Sequence, residues 1–124
     1  MVDYHIYEFD MVMPDDYHRI ELNAMYTDPL FGTKIIGHLS LDIFEEHTAI
    51  TWVYVSIDYR EFGVAQRLLE HAWNVTKDKG MKQMGLVVDK SSKQDELVKY
   101  YEKRHFEFYE VTESEGIAMW RTEK

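Results

Sequence analysis

The chain has no cysteine. Disulfides, thiolate nucleophiles and cysteine-ligated zinc are excluded with it, and a reducing, cytoplasmic address is the expectation. Proline occurs only at Pro14 and Pro29, beside six glycines, so few fixed breaks interrupt the elements. No apolar run approaches the roughly 18 residues of a membrane-crossing helix. The opening MVDYHIYEFD carries acids where an export signal needs a basic start and an apolar stretch, so no signal is read there. Basic residues are scarce as well. Fourteen Lys and Arg face 23 Asp and Glu, a net charge of −9, which argues against nucleic acid or an anionic membrane surface as partner.

What remains is an ordinary globular composition. A length of 124 residues fits one domain over 1–124, and 45% hydrophobic with 15% aromatic residues is enough to build a core. The charge is uneven. Residues 1–62 hold three Lys and Arg against twelve Asp and Glu, whereas 63–124 hold eleven of each. The acidic half reads either as a surface for a cationic partner or as a solvated face.

Tyr4–Phe9 reads as a strand, followed by a turn at Pro14-Asp15-Asp16. His18–Tyr26 alternates strictly, with Ile20, Leu22, Ala24 and Tyr26 on one side. Ile35–Phe44 and Ala49–Ile57 follow as strands, the last apolar on both faces, as for a central strand covered on both sides. The period then changes. Ala65, Leu68, Leu69, Ala72 and Val75 fall at helical spacing, and Gly80 stands where that helix stops. Met84–Val88 is a strand. Ser91 and Gln94 have capping-box spacing before a helix through Leu97, Val98, Tyr100 and Tyr101. Phe106–Val111 and Ile117–Arg121 close the chain as strands. The expectation is an α+β fold: a mixed, mostly antiparallel sheet with two helices packed on it. Tyr4, Tyr7 and Phe9 are expected in the core or at a homodimer interface, and Met11-Val12-Met13 reads as an apolar binding surface if exposed.

The segment from Val53 through Leu69 concentrates the chemistry. A buried strand enters a short turn, and Arg-x-x-Gly-x-Ala (Arg60, Gly63, Ala65) opens an apolar helix. The first N–H groups of a helix lack intrahelical partners and face the positive end of its dipole, so small residues there make an anion cradle. The alternative is a strand-to-helix turn in which glycine only relieves crowding.

This segment resembles the acetyl-CoA motif of the GNAT N-acetyltransferase superfamily at Val55, Tyr59, Arg60, Gly63, Ala65, Leu68 and Leu69. It departs at Ile57, where proline is common, and at Glu61, where glycine is common. Further on, Tyr100-Tyr101-Glu102-Lys103-Arg104-His105-Phe106 is similar to the family's Leu-Tyr-Glu-x-x-Gly-Phe, with His105 in place of the glycine. The resemblance covers about residues 18–122 and implies a GNAT-like sheet. It implies that acetyl-CoA is held by Val53, Tyr54 and Val55 of the strand, by Arg60, Glu61, Phe62, Gly63, Val64, Ala65 and Gln66 of the turn and helix start, and by Gln94 unless that residue only caps. It implies that Tyr101 protonates the leaving thiolate; otherwise Tyr101 is a core aromatic. Tyr100, about 100° away around the helix, should matter little.

The two helices that the family places after its first strand have no room between residues 10 and 32. No Glu occupies the strand before Val55, so Asp42, Glu45, Glu46, His38, Tyr54 or a water chain are the candidates for taking the amine's proton. The six histidines show no metal-ligand spacing, and no metal is expected. The implied activity is acetyl transfer from acetyl-CoA to a cationic primary amine (a protein lysine or N-terminus, or a polyamine-like molecule) by direct attack in a ternary complex. The alternatives are a catalytically inactive module of the same fold that binds CoA or a protein, and an interaction module whose motifs match by accident.

Overall fold

The computed structural model describes residues 3–15 and 17–124. Seven strands form one sheet in the order β1-β2-β3-β4-β5-β7-β6. A meander comes first: β1 (Tyr4–Val12), β2 (His18–Asp28), β3 (Gly32–Ile43) and β4 (Thr48–Val55). A 3-10 turn (Ile57–Phe62) leads into α1 (Val64–Asp78), then β5 (Gln83–Val88), α2 (Gln94–Glu102), β6 (Glu107–Val111) and β7 (Ile117–Thr122). All neighbours are antiparallel except β4 and β5. The expected element order holds. Pro14 and Asp15 do turn after β1, and Asp16 lies outside the described residues.

β1 runs on to Val12 instead of stopping at Phe9, and three other departures from the expectation have a local reason. β4 stops at Val55, because Ser56 donates to the Ile36 carbonyl at 2.8 Å and the chain then closes the 3-10 turn, leaving Ile57 exposed. β2 and β3 run to a tight tip, where Asp28 Oδ1 accepts from the Leu30 and Phe31 amides at 2.7 and 3.0 Å. That Asx turn needs no packing, and both side chains project into solvent. The capping box does not form. The Ser91 hydroxyl accepts from the Lys93 amide instead, and α2 starts without a side-chain cap.

The alternation in β2 sorts the sheet into two faces. Ile20, Leu22 and Ala24 join Leu39, Leu41, Val55, Met84 and Met119 under α1 and α2, with Val64, Leu68 and Leu69 from α1. Thr76 donates to the Ala72 carbonyl at 2.9 Å, so the buried Thr48 hydroxyl is the donor in the 2.7 Å Thr48–Thr76 contact, fixing α1 over the start of β4. Gly37 lets α1 approach closely: a Cβ there would sit 2.6 Å from Val64 Cγ1.

The other face carries no helix among the described residues. Cross-strand partners share a face, so Tyr7, Asn23, His38 and Tyr54 form one row across it, and Phe9, Glu21, Ser40 and Trp52 the next. Tyr54 and Trp52 are therefore exposed, and β4 is covered on one side only, not on both as its apolar sequence suggested. The aromatic N-terminal strand divides by the same period. Tyr4 is in the core, whereas Tyr7 and Phe9 lie on the open face.

Candidate active site

β4 and β5 pair in parallel only at Thr48–Met84 and Ala49–Gly85. Beyond that point both strands continue without pairing, and a bulge near Ser40–Leu41 in the β3–β4 ladder bends β4 away. The result is a wedge that opens toward the C-terminal ends of the two strands. Ser56 N–H points toward β3, whereas the Val55 carbonyl accepts from Arg60 Nε at 3.2 Å on the other side. Groups two residues apart share a direction, so the Val53 N–H and C=O also face the wedge, as a free strand edge would.

On the helix side, a cavity of about 410 Å³ is lined by Val53, Tyr54 and Val55 of β4, Arg60, Ala65 and Leu69, with Leu97, Tyr100 and Tyr101 across from them. A second cavity of about 230 Å³ lies within the split, between Ile50–Val53 and Leu86–Asp89, and reaches Leu97 and Tyr101. Tyr101 is thus common to both. Its ring stands edge-on to Phe106 at 5.6 Å. Burial, with a smaller push from Tyr100, holds its hydroxyl above the ordinary tyrosine pKa against the pull of Arg104, so it remains protonated at neutral pH. Tyr100 does not face away: it lines the helix-side cavity, its ring 5.3 Å from that of Tyr101 and covered by the Arg104 guanidinium at 3.6 Å.

The turn into α1 is set by Gly63, at φ +71°, ψ 18°. A Cβ there would meet nothing within 4 Å, so the requirement is the left-handed backbone and not lack of room. The first α-helical bond runs from Arg67 N–H to the Gly63 carbonyl at 3.1 Å, and the amides of Val64, Ala65 and Gln66 precede it. No acid stands in the first turn of α1. Glu61 is exposed within the preceding 3-10 turn, beside Phe62, whose ring packs on Tyr59. Arg60 ties that turn to β4 through Val55, and Arg67 lies over the Tyr4 ring at 4.6 Å.

Gln94 is buried, and its amide nitrogen donates to the Val88 and Glu115 carbonyls at 3.2 and 2.9 Å. It locks the start of α2 to the β6–β7 turn. Of the expected proton acceptors, Tyr54 lines the helix-side cavity, and the others lie away from it. Asp42 is ion-paired with Arg19 at 2.6 Å. His38 is held by Glu21 at 2.6 Å and Asn23 at 2.5 Å on the open face, while Glu45 and Glu46 are exposed in the β3–β4 turn. The residue the sequence reading passed over is Asp89. It lines the split itself, at the C-terminal end of β5. The usable signal was its place as the first polar residue after the apolar strand Met84–Val88. Among the described residues no three His, Asp or Glu side chains group closely enough to hold a metal ion.

The Acetyltransferase (GNAT) family model matches residues 2–106. The PaiA N-acetyltransferase of Thermoplasma acidophilum, determined with coenzyme A, superposes with a TM-score of 0.71 at 21% identity, over 84% of this chain and 60% of that one. This chain therefore spans about 60% of that protein's length. A GNAT family acetyltransferase from Elizabethkingia anophelis with acetyl-CoA bound superposes at 0.72 and 17% identity, over 98% and 97% of the two chains. Ard1 of Thermoplasma volcanium gives 0.65 at 18% identity, over 91% and 74%. These likenesses are of fold. No curated protein sequence matches the chain.

Proposed function

The chain belongs to the GNAT acetyltransferase family, and from that premise we propose that it is an N-acetyltransferase taking acetyl-CoA and a primary amine by direct attack in a ternary complex. The observation that carries this is the β4–β5 wedge, with the start of α1 at one end and Tyr101 in the split.

The residues present fit acetyl-CoA. The amides of Val64, Ala65 and Gln66 offer donors at the positive end of α1, suited to a pyrophosphate. The free edge at Val53 offers a donor and an acceptor to the amide-bearing pantetheine arm, as to an added strand. Leu69, Leu97 and Ala65 exclude water beside it. Bound there, acetyl-CoA supplies a thioester whose carbonyl carbon accepts the amine.

A free alkyl amine has a pKa of about 10.4 and is protonated at neutral pH, so it must lose a proton before attack. Water at the open mouth of the split accepts it. As the C–N bond forms and the C–S bond breaks, the nitrogen sheds its second proton to water, and the Tyr101 hydroxyl donates its proton to sulfur and recovers one from solvent. With no cysteine in the chain, no acetyl-cysteine step is available.

The test is calorimetric titration with acetyl-CoA, followed by thiol release with a panel of primary amines. Binding with amine-dependent thiol release supports the proposal. Binding without release from any amine overturns the catalytic reading in favour of a non-catalytic CoA-binding protein.

A further inference from the structure

The open face of the sheet holds a third cavity, of about 430 Å³, beneath the strand ends on the side away from both helices. Its floor is the Trp120 ring. That ring lies across β5 because residue 85 is glycine: a Cβ there would come within 3.0–3.3 Å of three of its atoms. Two further rings stand nearly perpendicular to it, His47 at 5.1 Å and Tyr109 at 6.2 Å, with interplanar angles of 80° and 83°. Asp89 and Glu110 complete the lining, and no lysine or arginine contributes to it. On the neighbouring strand and chain end, Arg121 pairs with Glu70 at 2.7 Å and Lys124 with Glu107 at 3.0 Å.

An indole face with aromatic walls and two carboxylates selects a cation. This cavity also joins the split. Ile50, Thr51, Leu86, Val87 and Asp89 line both, so one molecule can occupy both, reaching Tyr101 from the face that no helix covers.

We propose that this cavity is the acceptor pocket and that it holds a cationic group of the acceptor other than the nitrogen that is acetylated. The proposal rests on the acetyltransferase reading above and adds the substrate class: an amine that carries a second cationic centre. The distinction follows from acid–base chemistry. A site that stabilises an ammonium raises its pKa, which would oppose the deprotonation that attack requires. The charge the pocket holds is therefore one that stays, while the reacting amine extends uncharged into the split.

The experiment compares 1,4-diaminobutane with n-butylamine, which lacks the second charge. Wild type is expected to favour the diamine by about tenfold or more in kcat/KM, as desolvated cation–π and carboxylate contacts allow. In an Asp89→Asn, Glu110→Gln double variant the ratio should fall to about two or less, with acetyl-CoA affinity unchanged; Trp120→Leu should act in the same direction. A second readout needs no turnover: calorimetry of 1,4-diaminobutane with the protein alone should show binding that weakens with salt and is lost in the double variant. Equal use of the two amines by wild type overturns the proposal, as does diamine binding that survives the double variant. If acetyl-CoA binds but no amine releases thiol, the acetyltransferase reading fails on its own, and the calorimetry still decides whether the pocket holds a dication.

Discussion

Replacing Gly37 with alanine tests whether the approach of α1 to the sheet governs both stability and the cofactor end of the wedge. Gly37 sits in β3 opposite Val55. The new Cβ would lie 2.6 Å from Val64 Cγ1, 3.2 Å from Leu68 Cδ1 and 3.4 Å from the Tyr54 carbonyl oxygen. Carbon atoms rest at about 3.5–4.0 Å, so Val64 must retreat by roughly 1 Å. It cannot swing aside, because it and Leu68 are fully buried. Overpacking of this kind costs about 1–3 kcal/mol, a fall of roughly 3–10 °C in melting temperature for a chain of this size. Val64 is the first residue of α1, so the displacement falls on the amides assigned to the pyrophosphate, and acetyl-CoA affinity should drop with stability. Val64→Ala removes the clashing methyl groups. Alone it leaves a cavity; combined with Gly37→Ala it should be less destabilising than the sum of the two by about 1–2 kcal/mol. Thermal melts and acetyl-CoA calorimetry on the four proteins measure this cycle. Additive single effects, or a Gly37→Ala variant that melts and binds as wild type does, would refute the steric argument.

Tyr101→Phe keeps the ring packed on Phe106 and should lower kcat by about 10²–10⁴-fold with acetyl-CoA affinity retained, whereas Tyr100→Phe should change kcat by less than about threefold; steady-state kinetics on both decides the assignment. Burial holds both tyrosines above their ordinary pKa, Tyr100 against the pull of Arg104. As pH rises the unfolded chain therefore ionises first, and the stability they contribute is intact below about pH 10 and lost as pH climbs through the folded-state values. Urea midpoints should fall more steeply between about pH 9 and pH 11 in wild type than in the Tyr100→Phe, Tyr101→Phe double variant. His105 occupies a left-handed conformation at φ +76°, so His105→Gly should stabilise by about 1 kcal/mol in a denaturant melt. Gln94→Ala leaves the Val88 and Glu115 carbonyls without their donor and should destabilise by about 1–3 kcal/mol, with acetyl-CoA affinity in the folded protein little changed.

The proposed cofactor and acceptor sites lie on opposite faces of the sheet. The helices, the start of α1 and the helix-side cavity lie on one face, and the Trp120 pocket lies on the other. The split between β4 and β5 borders the cavities of both faces, each of which shares lining residues with it. A substrate binding from the bare face and one binding beneath the helices can therefore meet without either displacing the other.

Much of this was legible in the sequence because it depends on short-range periodicity. The two-residue period of Ile20–Tyr26 and the helical spacing of Ala65–Val75 specify strand and helix locally, and Gly63 before the latter marks the left-handed turn into α1. Tyr101 could be singled out by its place in an ordered pair of motifs. Other features depend on what lies across the sheet, which no local pattern encodes. Trp52 and Tyr54 read as doubly buried, yet half of β4 faces solvent because no helix returns over that side. Gln94 has the spacing of a cap, but its amide reaches Glu115, 21 residues away. Asp89 just past β5, Tyr109 on β6 and Trp120 on β7 lie far apart in sequence, and the sheet order β5-β7-β6 makes them one pocket. The sequence by itself determined the elements, their order and the glycine turn between β4 and α1. The tertiary structure decided which residues line the cavity on the open face, because strand pairing joins positions that the chain keeps far apart.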